Sequence, residues 1–333
     1  MRCRLLWLCL LAVTSAFSAP ATPEPPANLA IDGAARIGVY KGAGCAGAPG
    51  VQKFERWLGR DTDLVLEFIS WPVLQDSSTW AVRCWAAAGR KSVVYSLPML
   101  PPDHSATLAQ GAQGKFDQLF SNYGAALVKN GYANAVIRIG WEFNAEWYAW
   151  AASKDPESWV AYWRRIVSVL RAVPGQAFTF DWNPAAAAGG FAPERVYPGD
   201  DVVDIIGLDF YNTAVDARSF TPQQRWETRM NMRTGLKWQR DFAAQHNKPM
   251  SFPKWGTGVR AKGGGAEDDA YFVEQMAAWI AGNNVTYHGY WDYGSKEYNS
   301  ILSDGRQPKA GAAFKRAFSA NGKSSSTHSV AAD

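Results

Sequence analysis

Eight short apolar runs, each of strand length and each separated from the next by a longer segment, constrain the fold more than any other feature. The runs cover residues 36–40, 64–69, 92–96, 135–141, 177–182, 203–209, 249–252 and 287–291. Helix predictions between them include 116–129, 156–172, 222–246, 267–281 and 309–318, and several begin with Pro or an acidic residue, as first helical turns do. Strands that alternate with helices in this way predict a single-domain α/β fold, the (β/α)8 TIM barrel.

A doubly wound open sheet is the competing fold. Gly42, Gly44 and Gly47 follow the first run with the letters of a dinucleotide-binding turn. The helix after them is unconvincing, and no acidic residue closes the second strand as such a site requires. The barrel is therefore the prediction, and it extends over residues 34–319.

The two ends of the chain differ in composition from this domain. Residues 1–18 combine a basic start, an apolar stretch and small residues at the exit, which is typical of a secretory signal peptide. Residues 19–33 form a Pro/Ala-rich leader, and residues 320–333 are expected to be a disordered tail. No later apolar stretch approaches the roughly 20 residues of a membrane span. We expect a secreted or periplasmic protein, free of the membrane after signal cleavage.

The cysteine content and the net charge indicate which ligands and partners are expected. Only Cys45 and Cys84 remain after the signal, and in an oxidising compartment they are expected to form a disulfide, with two buried free thiols as the alternative. The four histidines lack metal-ligand spacing, so neither a metal nor a cofactor is expected. The net charge of +4 is dispersed, which disfavours nucleic acid. A monomer is expected.

Aromatic and acidic residues gather at the predicted strand ends. The chain has 16 Trp, whose flat faces suit stacking on sugar C–H surfaces. Side-chain alternation puts Arg138, Gly140 and Glu142 on one face, so that Glu142 points into the barrel mouth. A solvated strand-end acid is the alternative for Glu142. The same alternation places two further groups inward, each sharing its face with a glycine expected to leave room for a ligand: Asp209 and Tyr211 with Gly207, and Trp291 with Gly289.

Two segments resemble glycoside hydrolase family 26, which includes β-mannanases and related β-glycanases. Residues 137–148 (IRIGWEFNAEWY) resemble its fourth-strand motif, whose glutamate, matching Glu142, is the general acid/base. Residues 197–212 resemble its sixth-strand segment, whose Asp and Tyr, matching Asp209 and Tyr211, support the catalytic carboxylates. Trp291 matches an aromatic platform after the eighth strand. The resemblance covers roughly residues 35–318 and implies a retaining hydrolase acting on a β-linked polysaccharide, commonly mannan.

Three positions depart from the family pattern. Trp141 stands where the family usually has His, and no His follows the third strand. Most seriously, Lys254 in the string SFPKWG occupies the seventh-strand position of the nucleophilic glutamate. Retaining hydrolysis needs two carboxyl groups about 5 Å apart. An ammonium group cannot attack the anomeric carbon, and its charge would hold Glu142 ionised.

Several interpretations of Lys254 are open. The protein is a sugar-binding pseudoenzyme, an inverting enzyme with Asp209 or Asp181 as base, or a variant of an active parent with glutamate at position 254. A surface lysine, with the nucleophile elsewhere, is a further alternative. The remaining predicted substrate contacts are Arg138, Asn144, Trp147 and Trp255, although some residues of these loops are expected to pack internally instead.

Overall fold

The computed structural model describes residues 34–76, 79–187, 189–213, 219–260, 266, 268–296 and 298–320. The predicted signal peptide (1–18), the leader (19–33) and the predicted tail after residue 320 lie outside these ranges. Within them, no helix combines the length and apolarity needed to cross a membrane.

Eight parallel strands close into a barrel, which confirms the predicted fold. The strands of the described chain are β1 (Arg36–Tyr40), β2 (Leu64–Phe68), β3 (Val93–Leu97), β4 (Val136–Ile139), β5 (Thr179–Trp182), β6 (Ile205–Gly207), β7 (Phe210–Asn212), β8 (Met250–Thr257), β9 (Val259–Arg260), β10 (Val285–Trp291) and β11 (Tyr298–Asn299). The barrel consists of β1 to β6, β8 and β10, and β10 closes it by pairing with both β8 and β1. The short strand β7 extends the mouth beside β8, and β9 pairs with β11 in a separate antiparallel ribbon.

Helices cover the outside of the barrel. They are α1 (Gly44–Leu58), α2 (Trp71–Gln75), α3 (Trp80–Ala87), α4 (Leu108–Ala112), α5 (Asp117–Lys129), α6 (Pro156–Arg171), α7 (Pro222–Asn231), α8 (Leu236–Gln245), α9 (Ala270–Gly282) and α10 (Pro308–Phe318). Two 3-10 turns cover Ala152–Lys154 and Pro193–Val196, and the second is the only helical element described between β5 and β6.

The prediction of one helix over residues 222–246 is wrong, because the helical geometry is interrupted between α7 and α8. Thr234 exchanges two backbone hydrogen bonds with Ala187, of 2.9 and 3.1 Å, which pulls this segment out of helical geometry. Gly235 follows, and a Cβ there would lie 2.7 Å from the carbonyl oxygen of Arg229. The pairing and the close approach explain why the helix restarts only at Leu236.

Side chains fill the barrel interior. A cluster of inward residues packs there, including Leu64, Leu66, Val94, Val136 and Ile205. A Cβ at Gly207 would lie 2.3 Å from Asp181 Oδ1, and one at Gly289 would lie 2.1 Å from Leu66 Cδ1. The expectation that these glycines leave room for a ligand is therefore wrong, because neighbouring protein side chains take that space.

A disulfide joins two of the outer helices. Cys45 of α1 is bonded to Cys84 of α3, with their Cα atoms 4.9 Å apart, as predicted. Cys45 lies within the helix and not in the preceding loop. The bond closes a loop with a sequence separation of 39 residues. Closing a loop of that size restricts the unfolded chain and corresponds to about 4 kcal/mol of stabilisation.

Candidate active site

Glu142 reaches the barrel mouth by a turn and not, as predicted, by continuing the strand. Strand β4 ends at Ile139, and both Gly140 (φ 56°) and Glu142 (φ 53°) have left-handed backbone conformations. A Cβ at Gly140 would lie 2.4 Å from Met99 Sδ, so this position requires glycine. The backbone N–H of Glu142 donates to the carbonyl of Asn183 at 2.8 Å. A left-handed glutamate is uncommon, and such residues are held by their surroundings, often at functional sites.

Lys254 bridges two carboxylates across the barrel mouth. Its Nζ lies 2.5 Å from Glu142 Oε1 and 3.0 Å from Asp209 Oδ2, and its side chain is only 8% exposed. Three ring centroids lie 5.5 to 5.9 Å from this ammonium: those of Phe68, Trp291 and Tyr211. The interpretation of Lys254 as a surface lysine is therefore excluded.

The ion pair determines the protonation of both partners. Burial alone would raise the pKa of Glu142, but the charge of Lys254 and the hydrogen bonds to the carboxylate lower it to about 2. Burial disfavours the charged form of Lys254, yet the charges of Asp209 and Glu142 hold its pKa well above 10.5. Glu142 is therefore a carboxylate at neutral pH and has no proton to donate.

Trp141 and Tyr148 orient the second oxygen of Glu142. The Tyr148 hydroxyl donates to Glu142 Oε2 at 2.8 Å, and Trp141 Nε1 donates to the Tyr148 oxygen at 2.9 Å. Trp141 thus acts on Glu142 through Tyr148. Tyr148 was not singled out from the sequence, although it follows Glu142 in the same loop.

Arg138 lies beneath the site and holds Asp209. Its Nη2 is 3.0 Å from both oxygens of Asp209, and the backbone N–H of Lys254 donates to Asp209 Oδ1 at 3.1 Å. Arg138 is fully buried and also donates to Ser96 Oγ at 2.9 Å. The prediction that Arg138 contacts substrate is corrected by this burial. Arg138 positions Asp209, whose oxygens are both engaged.

A cleft of about 560 Å³ opens over this cluster. It brings together six residues predicted from the sequence: Glu142, Trp147, Asp209, Tyr211, Lys254 and Trp291. Trp147 is 73% exposed at the rim. Trp291 stacks on Tyr40, with centroids 4.2 Å apart and planes 8° from parallel. The cleft therefore offers flat apolar faces beside charged groups, a composition typical of small-molecule sites.

Trp255 and Asn144 do not line the cleft, so both predicted substrate contacts are corrected. Successive strand residues point to opposite faces, and because Lys254 points inward, Trp255 points outward. Trp255 is fully buried, and its Nε1 donates to His288 Nδ1 at 3.1 Å. Asn144 bonds both backbone polar groups of Ala185, at 2.8 and 2.9 Å, and so fastens the loop after β4 to the loop after β5.

Asp181 also lies apart from the cleft. It is fully buried inside the barrel, where its Oδ2 accepts hydrogen bonds from Ser251 at 2.6 Å and Tyr287 at 2.5 Å. Among the described residues of the cleft lining, the only carboxylates are Glu142 and Asp209. In the part of the chain that the structure describes, no group of His, Cys, Asp or Glu is arranged to hold a metal ion.

Sequence reasoning missed several residues of the cleft lining, among them Arg229, Arg260 and Tyr298. Arg229 lies on α7, Arg260 on β9 and Tyr298 on β11. No strand-end pattern marks these positions, since all three reach the cleft from elements outside the barrel strands. An arginine on the apolar side of a helix, as Arg229 is, was the only available signal.

The mouth of the (β/α)8 barrel carries one ion cluster, with Glu142 after β4, Asp209 after β6 and Lys254 within β8. The model of glycosyl hydrolase family 26 matches residues 113–224. This match includes Glu142 and Asp209, and the resemblance to family 26 drawn from the sequence is thereby confirmed.

Known relatives give the same picture of the fold. Endoglucanase H of Acetivibrio thermocellus is 26% identical over 171 residues, which cover 49% of this chain and 18% of that protein. The chain thus spans less than a fifth of that relative's length. A modular endo-β-1,4-mannanase from Cellulomonas fimi superposes with a TM-score of 0.60 at 16% identity, covering 84% of this chain and 71% of that one. A Bacillus subtilis mannanase superposes with a TM-score of 0.58 at 16% identity, covering 83% of each chain.

Proposed function

We propose that this protein is a secreted or periplasmic glycoside hydrolase of the family 26 type that binds β-linked polysaccharide across the cleft, with retaining hydrolysis impaired by Lys254. A β-1,4-mannan or a related β-glycan is the proposed substrate class. The observation that carries the proposal is the 2.5 Å contact between Lys254 Nζ and Glu142 Oε1 within an aromatic cleft. Lys254 and Glu142 form an ion pair at the two positions where retaining hydrolysis would need two carboxyl groups.

The proposed parent reaction assigns one role to each of these positions. Glu142 as an acid gives its proton to the glycosidic oxygen, while a carboxylate at position 254 attacks the anomeric carbon; water then completes hydrolysis with Glu142 as base. In this chain the ammonium of Lys254 has no lone pair with which to attack. Its charge also keeps Glu142 deprotonated, so both halves of the first step are lost.

Asp209 is a poor substitute for the missing group. Its side chain is fully buried, and its oxygens accept from Arg138 and from Lys254. A carboxylate held in this way stabilises the ion cluster and is not free to activate water. This favours impaired turnover over an inverting mechanism that uses Asp209 as base.

A non-catalytic carbohydrate-binding protein is the second candidate. The same ion pair favours it, because the cluster is internally neutralised while the aromatic faces of Trp147 and Trp291 remain on the cleft. The two candidates predict the same binding and differ only in whether any slow hydrolysis depends on Glu142.

The test measures binding and hydrolysis of mannans, glucans, xylans and bacterial exopolysaccharides by the unmodified protein and by Glu142→Gln. Glu146→Gln is the matched control, because Glu146 is exposed on the same loop and accepts a hydrogen bond from Ser153 at 2.8 Å, away from the ion cluster. We expect slow hydrolysis that Glu142→Gln abolishes and Glu146→Gln preserves. Rapid hydrolysis by the unmodified protein would contradict the impairment, and an inverted product would transfer the role of base to Asp209.

A further inference from the structure

Two arginines on one wall of the cleft have no acidic partner among the described residues. Arg229 is 8% exposed, and its Nε is buried with no hydrogen-bond partner in the described structure. Its Nη2 donates to the carbonyl of Tyr211, and its guanidinium lies 5.4 Å from the ring centroid of Phe210. Arg260 forms no ion pair with a described carboxylate. A buried donor without an acceptor is costly, and none of the described residues supplies an acceptor for Arg229 Nε.

The ribbon of β9 and β11 brings Arg260 and Tyr298 to the same cleft that Arg229 lines. Arg260 is directly opposite Tyr298 in this ribbon, and the Tyr298 hydroxyl donates to the carbonyl of Gly256 at 3.2 Å. Burial raises the pKa of Tyr298, and the charges of Arg229 and Arg260 both counteract that rise. Burial, together with the charge of Arg260, lowers the pKa of Arg229 to about 10. The two arginines therefore repel each other as like charges, and a bound anion would reduce this repulsion.

Among the described residues, the rest of the cleft lining supplies no such counter-ion. Its lining has four cationic side chains and two carboxylates, Glu142 and Asp209. Lys254 takes both carboxylates, and Arg138 binds the second from below. The remaining cations of the lining are Arg229, Arg260 and the exposed Lys296. The excess positive charge is thus located on the wall formed by α7 and the ribbon.

We propose that the cleft takes an anionic β-glycan, and that Arg229 and Arg260 bind a carboxylate or sulfate group carried by a sugar beside the Trp291 platform. This inference rests on the proposed function and specifies its substrate class. A guanidinium matches two acceptor oxygens of such groups with paired, charge-assisted hydrogen bonds. A neutral mannan or glucan offers hydroxyls only and would leave both charges uncompensated.

The experiment compares glycans of equal length and linkage by calorimetry. Oligosaccharides of β-1,4-mannuronate are paired with β-1,4-mannose, and those of β-1,4-glucuronate with cello-oligosaccharides; sulfated cello-oligosaccharides separate sulfate from carboxylate. We expect an anionic member to bind at least tenfold more tightly than its neutral partner in dilute buffer. The preference is expected to decrease as salt is added, because salt screens the arginine charges.

Variants assign the preference to this wall. Arg260→Gln and Arg229→Gln are each expected to reduce the ratio of anionic to neutral glycan affinity to near one. Because Arg260 is exposed, Arg260→Gln still tests the proposal if Arg229→Gln disturbs Tyr211. Arg240→Gln on α8, paired with Asp241 outside the cleft, is the control and keeps the full preference. Equal binding of neutral and anionic glycans, or a preference that survives both variants, overturns this inference and leaves the proposed function intact. Absence of binding to every glycan overturns both.

Discussion

Replacing Lys254 by glutamate is expected to increase hydrolysis, because it places a carboxylate in β8 opposite Glu142 and removes the charge that keeps Glu142 ionised. The ammonium now lies 2.5 Å from Glu142 Oε1 and 3.0 Å from Asp209 Oδ2. A glutamate side chain is shorter, and we expect it to leave the two carboxyl groups at the roughly 5 Å separation of retaining enzymes.

The expected change in the pKa of Glu142 follows from Coulomb's law. Two unit charges about 5 Å apart at an effective dielectric of about 20 interact by about 3 kcal/mol, or roughly 2 pKa units. The substitution adds a repulsion of this size and removes the present attraction, which acts over 2.5 Å and is therefore larger. The pKa of Glu142 is then expected to rise by several units from about 2. Such a rise brings Glu142 towards the range in which a general acid operates near neutral pH.

The assay measures release of reducing ends from the glycan panel, and proton NMR identifies the anomer formed first. Lys254→Gln is the matched control, since it removes the positive charge without supplying a nucleophile. We expect retention of configuration with Lys254→Glu and no comparable gain with Lys254→Gln. Adding Glu142→Gln to Lys254→Glu is expected to remove the gain.

Folding must be checked in parallel, because removing one partner of a buried ion pair costs about 3 to 5 kcal/mol. Urea unfolding of each variant shows whether the fold survives. A folded, glycan-binding Lys254→Glu protein that hydrolyses no better than Lys254→Gln would refute the role given to position 254.

Three further outcomes are expected. Trp291→Ala is expected to cost about 1 to 2 kcal/mol of oligosaccharide affinity through lost apolar burial; unchanged calorimetric affinity would move the subsite elsewhere. Burial lowers the pKa of His288 to about 3, so between about pH 6.5 and 3 only the unfolded chain binds a proton at this residue. His288 therefore lowers the free energy of unfolding by about 1.4 kcal/mol for each pH unit of acidification in that range. Urea unfolding of His288→Leu across that range is expected to lack this slope, and parallel curves would contradict it. Cys84→Ser is expected to lower stability by about 4 kcal/mol, and alkylation of both Cys45 and Cys84 without prior reduction would refute the disulfide.

The barrel could be predicted from the sequence because its signal is local. Each strand is a short apolar run and each helix a longer segment, so their alternation along the chain records the architecture directly. The site positions were predicted for a related reason, because they lie in or just after strands whose carboxyl ends meet at one face in any such barrel. These positions are Glu142, Asp209, Tyr211, Lys254 and Trp291.

The tertiary structure alone decided what these side chains do. Lys254 and Glu142 are 112 residues apart, and their 2.5 Å contact depends on strand closure and on the left-handed turn at Glu142. The same closure turned Trp255 to the outside. An aromatic residue that faces the cleft and one that faces the helices look alike in sequence. Only the direction in which the strand points each side chain distinguishes them.

The placement of Arg229 and Arg260 on one wall of the cleft also depended on the tertiary structure. Arg229 and Arg260 come from a helix and a ribbon outside the barrel strands, and no local spacing relates them to each other or to Tyr298. Whether a charge is compensated depends on every group that packs around it. Sequence by itself determined the barrel and the residues at its mouth; which of those charges are neutralised, and which are left for a ligand, depended on contacts between distant segments.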